Sequence, residues 1–64
     1  MKRAVILRYY TLESAEGARV TLAEALDASS QEPVAAYSLQ MMEAWLKRNG
    51  FRWLQGSSGV WVPA

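Results

Sequence analysis

Basic side chains near the two ends of the sequence could hold the phosphate groups of a nucleic acid. Residues 1–12 and residues 47–64 each carry three cations and no acid, whereas the middle carries six acids and one base. Lysine and arginine attract phosphate without reading base sequence, so the two ends act together only if folding joins them. The alternative is an ordinary solvated surface of mixed charge. The six cations are Lys2, Arg3, Arg8, Lys47, Arg48 and Arg52.

The aromatic side chains are a second group that could recognise a partner. Three tryptophans, three tyrosines and one phenylalanine in 64 residues are more than a core of this size can enclose. We expect Trp45, Phe51 and one of Trp53 and Trp61 to fill the core, since each ring removes about 150–250 Å² from water. The remaining rings could anchor a protein partner or a second subunit. Base stacking is the weaker alternative, because only Arg52 places a cation directly beside one of these tryptophans.

Residue types that support catalysis or cofactor binding are scarce. The sequence has no cysteine and no histidine, which excludes a disulfide, a zinc site and an imidazole base. Ser57 and Ser58 lack a base to activate them, and the glycines around them are typical of a hairpin tip. We therefore expect no enzymatic activity, no cofactor and no metal. Two acid pairs that could share a helical face are expected to be solvated: Glu13 with Glu16, and Glu24 with Asp27.

The composition predicts one folded domain over residues 1–64. Hydrophobic residues make up 52% of the sequence and charged residues 20%, which is too apolar for a disordered segment. The longest apolar run, residues 4–7, is far shorter than the roughly 20 residues that span a bilayer. No secretory segment follows residues 1–3. We expect a cytoplasmic protein without a membrane partner.

Two helices are predicted in the middle of the chain. Residues 21–24, Thr-Leu-Ala-Glu, form a capping box that indicates a short helix ending near residue 28 or 29. A longer helix is predicted from residue 33 or 34 to residue 49, because Leu39, Met42 and Leu46 repeat at helical spacing. Asn49-Gly50 is a typical helix stop. A second apolar row widens the stripe beyond what one layer needs: Val34, Tyr37, Met41 and Trp45.

The two ends of the chain carry different signals. Residues 51–54 and 60–62 are aromatic and β-branched runs around a glycine-serine loop, which predicts a β-hairpin ended by Pro63. Residues 4–12 favour strands by composition, yet their apolar residues also share a helical face. A helix is the preferred prediction there and a strand is the alternative. Residues 19 and 20 could add a short strand before the capping box.

Taken in order, these elements resemble a winged helix-turn-helix domain. Residues 20–26, VTLAEAL, are similar to the strand-to-helix junction of bacterial winged helices. Residues 46–52, LKRNGFR, are similar to the passage from the recognition helix into the wing. The resemblance implies an α+β fold with three helices and a C-terminal β-hairpin. Residues 27–33 depart from it, because they are longer than the family's tight turn.

The same resemblance implies a DNA-binding regulator of transcription or replication that acts on double-stranded DNA as a dimer. Ser38 and Gln40 would face the groove. Lys47, Arg48 and Arg52 would contact phosphates. The alternative is a protein-interaction module or inhibitor on the same scaffold. Its predicted contact residues are Tyr37, Met41, Trp53 and Trp61.

Overall fold

The computed structural model describes residues 3–64, which form five strands and one helix. The strands all belong to one antiparallel sheet in the order β3-β2-β1-β5-β4. The helix lies between the third and fourth strands in the chain. The elements are β1 (Val5–Glu13), β2 (Arg19–Asp27), β3 (Pro33–Ser38), α1 (Leu39–Arg48), β4 (Phe51–Trp53) and β5 (Val60–Pro63).

The β1–β2 hairpin is the longest part of the sheet. Its nine-residue strands pair without a break from Val5 opposite Asp27 to Glu13 opposite Arg19. β3 pairs only with the half of β2 that begins at Leu22, and β5 is in register with β1 at only two residues. The far half of the hairpin therefore extends beyond the other strands. The molecule is elongated, with extents of 42 × 22 × 21 Å.

The core lies between α1 and one face of the sheet. Met42 and Leu46, about one helical turn apart, are buried together with Val5, Ala23 and Ala25. Because side chains alternate along a strand, every second residue of β1 and β2 faces α1. The two alanines of β2 are small, so the helix can approach the sheet closely. Partly buried residues pack around this core: Leu7, Ala35, Trp45, Phe51 and Trp61.

Residues 4–12 lie mostly in β1, and the preferred prediction of a helix there is wrong. Val5 and Leu7 face α1, whereas Ile6 and Tyr10 face the opposite side of the sheet. Apolar residues on both faces of a strand mimic the periodicity of an amphipathic helix. Pairing with strands on both sides, together with the β-branched and aromatic residues of the segment, favours the strand.

The capping box predicted a helix that does not form. Residues 21–24 lie inside β2, where Thr21 pairs with Thr11 and Glu24 pairs with Arg8. The helix propensities of ordinary residues differ by less than about 1 kcal/mol each. Hydrogen bonding to β1 along the whole strand and to β3 along half of it outweighs that preference.

The long helix is shorter than predicted. Residues 33–38 form β3, and α1 begins only after Ser38, whose backbone is extended. The prediction of a second apolar row on this helix is therefore wrong, because Val34 and Tyr37 lie on β3. The predicted stop is confirmed: α1 ends at Arg48, and Gly50 adopts a φ of +81°.

The predicted α+β architecture with three helices is wrong. The two segments expected to be the first helices are the two adjacent strands β1 and β2, and residues 3–64 contain one helix. The mostly antiparallel sheet therefore lacks the element order of a winged helix. The C-terminal hairpin is confirmed as β4 and β5.

We expect Met42→Ala to lower the free energy of unfolding by about 2–5 kcal/mol, because the truncated side chain leaves a cavity beneath α1. Met41 is the matched control, since 55% of its surface is exposed. Met41→Ala should change the free energy of unfolding by no more than about 0.5 kcal/mol. Urea unfolding followed by circular dichroism measures both variants. Equal losses would contradict the core described above.

Candidate functional site

The backbone of β1 alternates between its two neighbouring strands. The carbonyl of Ala4 accepts a hydrogen bond from the N–H of Ala28 at 3.0 Å, on the β2 side. The N–H of Leu7 donates to the carbonyl of Gly59 at 2.8 Å, on the β5 side. Successive residues of an antiparallel strand direct their backbone groups to opposite sides. Even-numbered residues of β1 therefore bond toward β2, and odd-numbered residues point toward β5.

Three odd-numbered residues of β1 extend past the end of β5. Within residues 3–64, pairing on that side of β1 stops at Leu7. The N–H and C=O groups of Tyr9, Thr11 and Glu13 therefore point to a side where the structure places no strand. We call these three residues the free edge. Such an edge is a template for pairing with another chain.

The turn before β5 explains why this edge stays open. Gly59 has a φ of +112°, a conformation that favours glycine. The chain that arrives from β4 turns there into β5, so pairing with β1 begins only at Gly59, opposite Leu7. The hydroxyl of Ser57 donates to the carbonyl of Leu54 at 2.6 Å and accepts from the N–H of Val60 at 3.1 Å. The glycine-serine loop predicted from the sequence is thus an ordered turn. It fixes the point where β5 stops covering β1.

A cleft of about 350 Å³ lies beside the free edge, between α1 and the sheet. Leu7 and Tyr9 of β1 line it from the sheet. Leu39 and Glu43 line it from α1, and Trp53 lines it from β4. We call it the aromatic cleft. Trp53 is 47% exposed, so its ring is available to a ligand.

The charge in the aromatic cleft is already compensated. Glu43 is the charged residue among its lining residues, and its carboxylate lies 3.0 Å from the ammonium of Lys47. Both side chains are more than half exposed, so this ion pair contributes little to stability. The remaining lining is apolar or aromatic apart from the backbone and the Tyr9 hydroxyl. The cleft therefore suits a large apolar side chain better than an ion.

The sheet face opposite α1 is a second notable surface. No helix or strand within residues 3–64 packs over it. Leu12 and Val20 lie directly opposite each other there and are 54% and 51% exposed. We call this the uncovered face. Its apolar residues on the three central strands are Ile6, Tyr10, Leu12, Val20, Leu22, Leu26, Val60 and Val62.

A polar network crosses the uncovered face. The Glu24 carboxylate accepts hydrogen bonds from the Tyr10 hydroxyl at 2.5 Å and from the Arg8 guanidinium at 3.0 Å. The Arg8 guanidinium also lies 5.3 Å from the centre of the Tyr10 ring. Hydrogen bonds from Tyr10 and then from Arg8 hold the pKa of Glu24 below its ordinary value of 4.5. The bond to Glu24 raises the pKa of Tyr10 above 10.0.

The residues predicted to bind nucleic acid lie on different surfaces. Ser38 ends β3, and Gln40 is exposed in the first turn of α1. Lys47 and Arg48 end α1, where Lys47 pairs with a glutamate. Arg52 lies on β4 and, by alternation with its core-packed neighbour, faces away from α1. These positions do not form one cationic surface.

The other predicted cations do not join this set either. Arg8 belongs to the network with Glu24, on the uncovered face. Arg3 is exposed just before β1 and interacts with Asp27 through its charge. Lys2 lies outside the described residues.

The residues predicted to contact a partner divide into two groups. Trp53 and Trp61 both line the aromatic cleft. Tyr37 lies 6.1 Å from the ring of Trp45, and Met41 is exposed on α1; neither lines that cleft. The core prediction for the aromatic residues is confirmed. Trp45 and Phe51 pack against the core, and Trp61 is the hairpin tryptophan that joins them.

The free edge was not predicted from the sequence. Its existence depends on how far β5 reaches along β1, and no residue type in β1 signals that distance. Gly59 is the only local clue, because a glycine in the left-handed region commonly redirects a chain.

Comparison with protein-family models, with curated proteins and with solved structures finds no match to this chain. The winged helix-turn-helix resemblance therefore has no family match to support it. Within the described residues, acidic side chains do not gather into a metal site. No helix in that part of the chain is long and apolar enough to cross a bilayer. The free edge, the aromatic cleft and the uncovered face remain the surfaces from which a function can be inferred.

We expect the Glu24 network to stabilise the fold above pH 4.5 and to lose that effect as the pH falls through the lowered pKa of Glu24. Stability falls at low pH because it is the ionised carboxylate of Glu24 that accepts the hydrogen bonds in the folded state. Tyr10→Phe removes the strongest of them and should raise the pKa of Glu24 toward 4.5. NMR titration of the Glu24 carboxyl carbon measures this pKa. Tyr9→Phe is the control, because Tyr9 lies on the other face; equal effects would contradict the network.

Proposed function

We propose that this chain is a protein-interaction module that binds an extended segment of another protein along the free edge of β1. The observation that carries the proposal is the mismatch between β1 and β5. β1 is nine residues long, yet β5 is in register with it at only two residues. Tyr9, the first residue of the free edge, lines the aromatic cleft.

The bound segment would take the place along β1 that β5 leaves at Gly59. Its backbone would exchange hydrogen bonds with Tyr9, Thr11 and Glu13, extending the sheet by one strand. Recognition by strand addition draws affinity from such main-chain bonds and specificity from pockets for alternate side chains. Each bond contributes about 0.5–1.5 kcal/mol after its exchange with water.

The aromatic cleft supports a definite preference in the ligand. Side chains of the added strand that point to the α1 side would lie over the cleft, next to Tyr9 and Trp53. Because most side chains that line the cleft are apolar or aromatic and its one carboxylate is paired with Lys47, a large aliphatic or aromatic side chain fits it. The ligand class is therefore an extended peptide with large apolar residues at alternate positions.

A DNA-binding role has weaker support. The predicted phosphate contacts at Lys47 and Arg52 belong to α1 and to the opposite face of the sheet. Glu43 also places a carboxylate on α1 next to Lys47, which lowers the attraction of phosphate to the helix. The protein-interaction alternative requires only surfaces that are contiguous.

A displayed library of random linear peptides, selected on the immobilised chain, tests the proposal. We expect selected peptides to alternate large apolar residues with polar ones. On binding of a selected peptide, the amide protons of Tyr9, Thr11 and Glu13 should become protected from exchange with solvent. Absence of any selected consensus, or protection confined to other strands, would reject the proposal.

We expect Thr11→Pro to weaken peptide binding at least about tenfold, because it removes an outward N–H and places a ring where the added strand would lie. Proline is tolerated at an edge position whose N–H makes no ladder bond, and a thermal melt verifies the fold. Thr11→Val is the matched control, since it keeps the N–H and should retain affinity. Trp53→Ala should also weaken binding, through the cleft. Isothermal titration calorimetry measures the peptide affinity of all three variants. An unchanged affinity in Thr11→Pro would contradict binding along the free edge.

A further inference from the structure

We infer that the uncovered face is a dimer interface on which a second copy of this chain docks, sheet against sheet. This inference is independent of the proposed peptide binding, which uses the edge of β1 and the α1 side. It rests on the size, the chemistry and the charge of the face.

The large apolar side chains of β2 lie on the uncovered face and not on the side that faces α1. On β2, the buried residues under α1 are the alanines Ala23 and Ala25. The same strand directs Val20 and Leu22 to the uncovered face, and β1 adds Ile6 and Leu12. A sheet that has one face on a helix usually keeps its other face polar. Here that other face carries more apolar bulk than the helix side of β2 does.

The face is large enough for a weak dimer. From a strand rise of about 3.4 Å and a strand spacing of about 4.8 Å, it measures about 500 Å². Two copies that cover the whole face would therefore bury about 1,000 Å², which is the area of a weak interface and below the about 1,200–2,000 Å² of stable complexes. Twisted sheets pack face to face at a separation of about 10 Å with their strands within about 30° of each other.

The charges of the face favour a second copy over a strongly charged partner. Its central ions, Arg8 and Glu24, form a 3.0 Å pair, so the centre of the face has no net charge. Arg52, on β4 at the margin of the same face, adds one cation. A twofold axis brings identical patches together, and each patch must then complement itself. A patch with one cation and one anion side by side meets that condition, because Arg8 of each copy can approach Glu24 of the other.

The dimer would leave the proposed peptide site open. The uncovered face and the aromatic cleft lie on opposite sides of the sheet, and the free edge runs between them. Two free edges would then be available in one particle. The failure of either proposal therefore leaves the other standing.

Sedimentation equilibrium over a micromolar concentration range tests the inference. We expect the unmodified chain to be a dimer and Val20→Lys to raise the dimer dissociation constant at least about tenfold, because two buried charges lack partners. Val20 is 51% exposed, so the monomer should accept lysine there. Leu12→Lys, at a site 54% exposed on the same face, is the second variant should the first fail to fold.

Two control variants separate this interface from other modes of association. Met41→Lys introduces the same charge at a site 55% exposed on α1 and should leave the dimer intact. Thr11→Pro blocks pairing through the free edge and should also leave it intact. A monomeric unmodified chain, a dimer that survives Val20→Lys, or a dimer lost in Thr11→Pro would each overturn the inference.

Discussion

The pairing of β1 with β2 is the constraint on which the rest of the structure depends. Because side chains alternate along each strand, this register decides which residues meet α1 and which point away. A slip of one residue would turn Val5 out of the core. The same pairing uses the backbone groups of the even-numbered residues of β1, which leaves the odd-numbered ones for β5 or for a partner. The core, the free edge and the uncovered face are therefore three results of a single register.

The position of α1 gives the two sides of the sheet different roles. The helix covers one side, where alanines allow it to lie close to the sheet. The aromatic cleft lies on this side, between α1 and β1. The other side keeps its large apolar residues around the Arg8–Glu24 pair. Backbone groups at the edge suit a ligand recognised by shape and hydrogen bonding, whereas the broad face suits a flat partner. The two proposed kinds of recognition would therefore use separate surfaces of one small scaffold.

Features decided by local forces could be predicted from the sequence, and features decided by long-range pairing could not. The stop at Asn49-Gly50 and the C-terminal hairpin depend on neighbouring residues, and both are confirmed. The helix predicted after Thr21 fails because its leucines and alanines fit a strand between β1 and β3 equally well. Of the candidate site, Trp53 and Trp61 were predicted as partner contacts and line the cleft. The role of Thr11 depends on where a distant strand ends, which no local pattern encodes.

The far half of the β1–β2 hairpin is a ribbon only two strands wide, since β3 and β5 both stop short of it. A lone two-stranded ribbon is marginally stable in water, so this region frays at a lower cost than global unfolding. A third strand at Thr11 would suppress that fraying as far as the turn at residues 14–18. Order in this turn would then depend on whether the edge is occupied, so the turn would respond to binding several residues away.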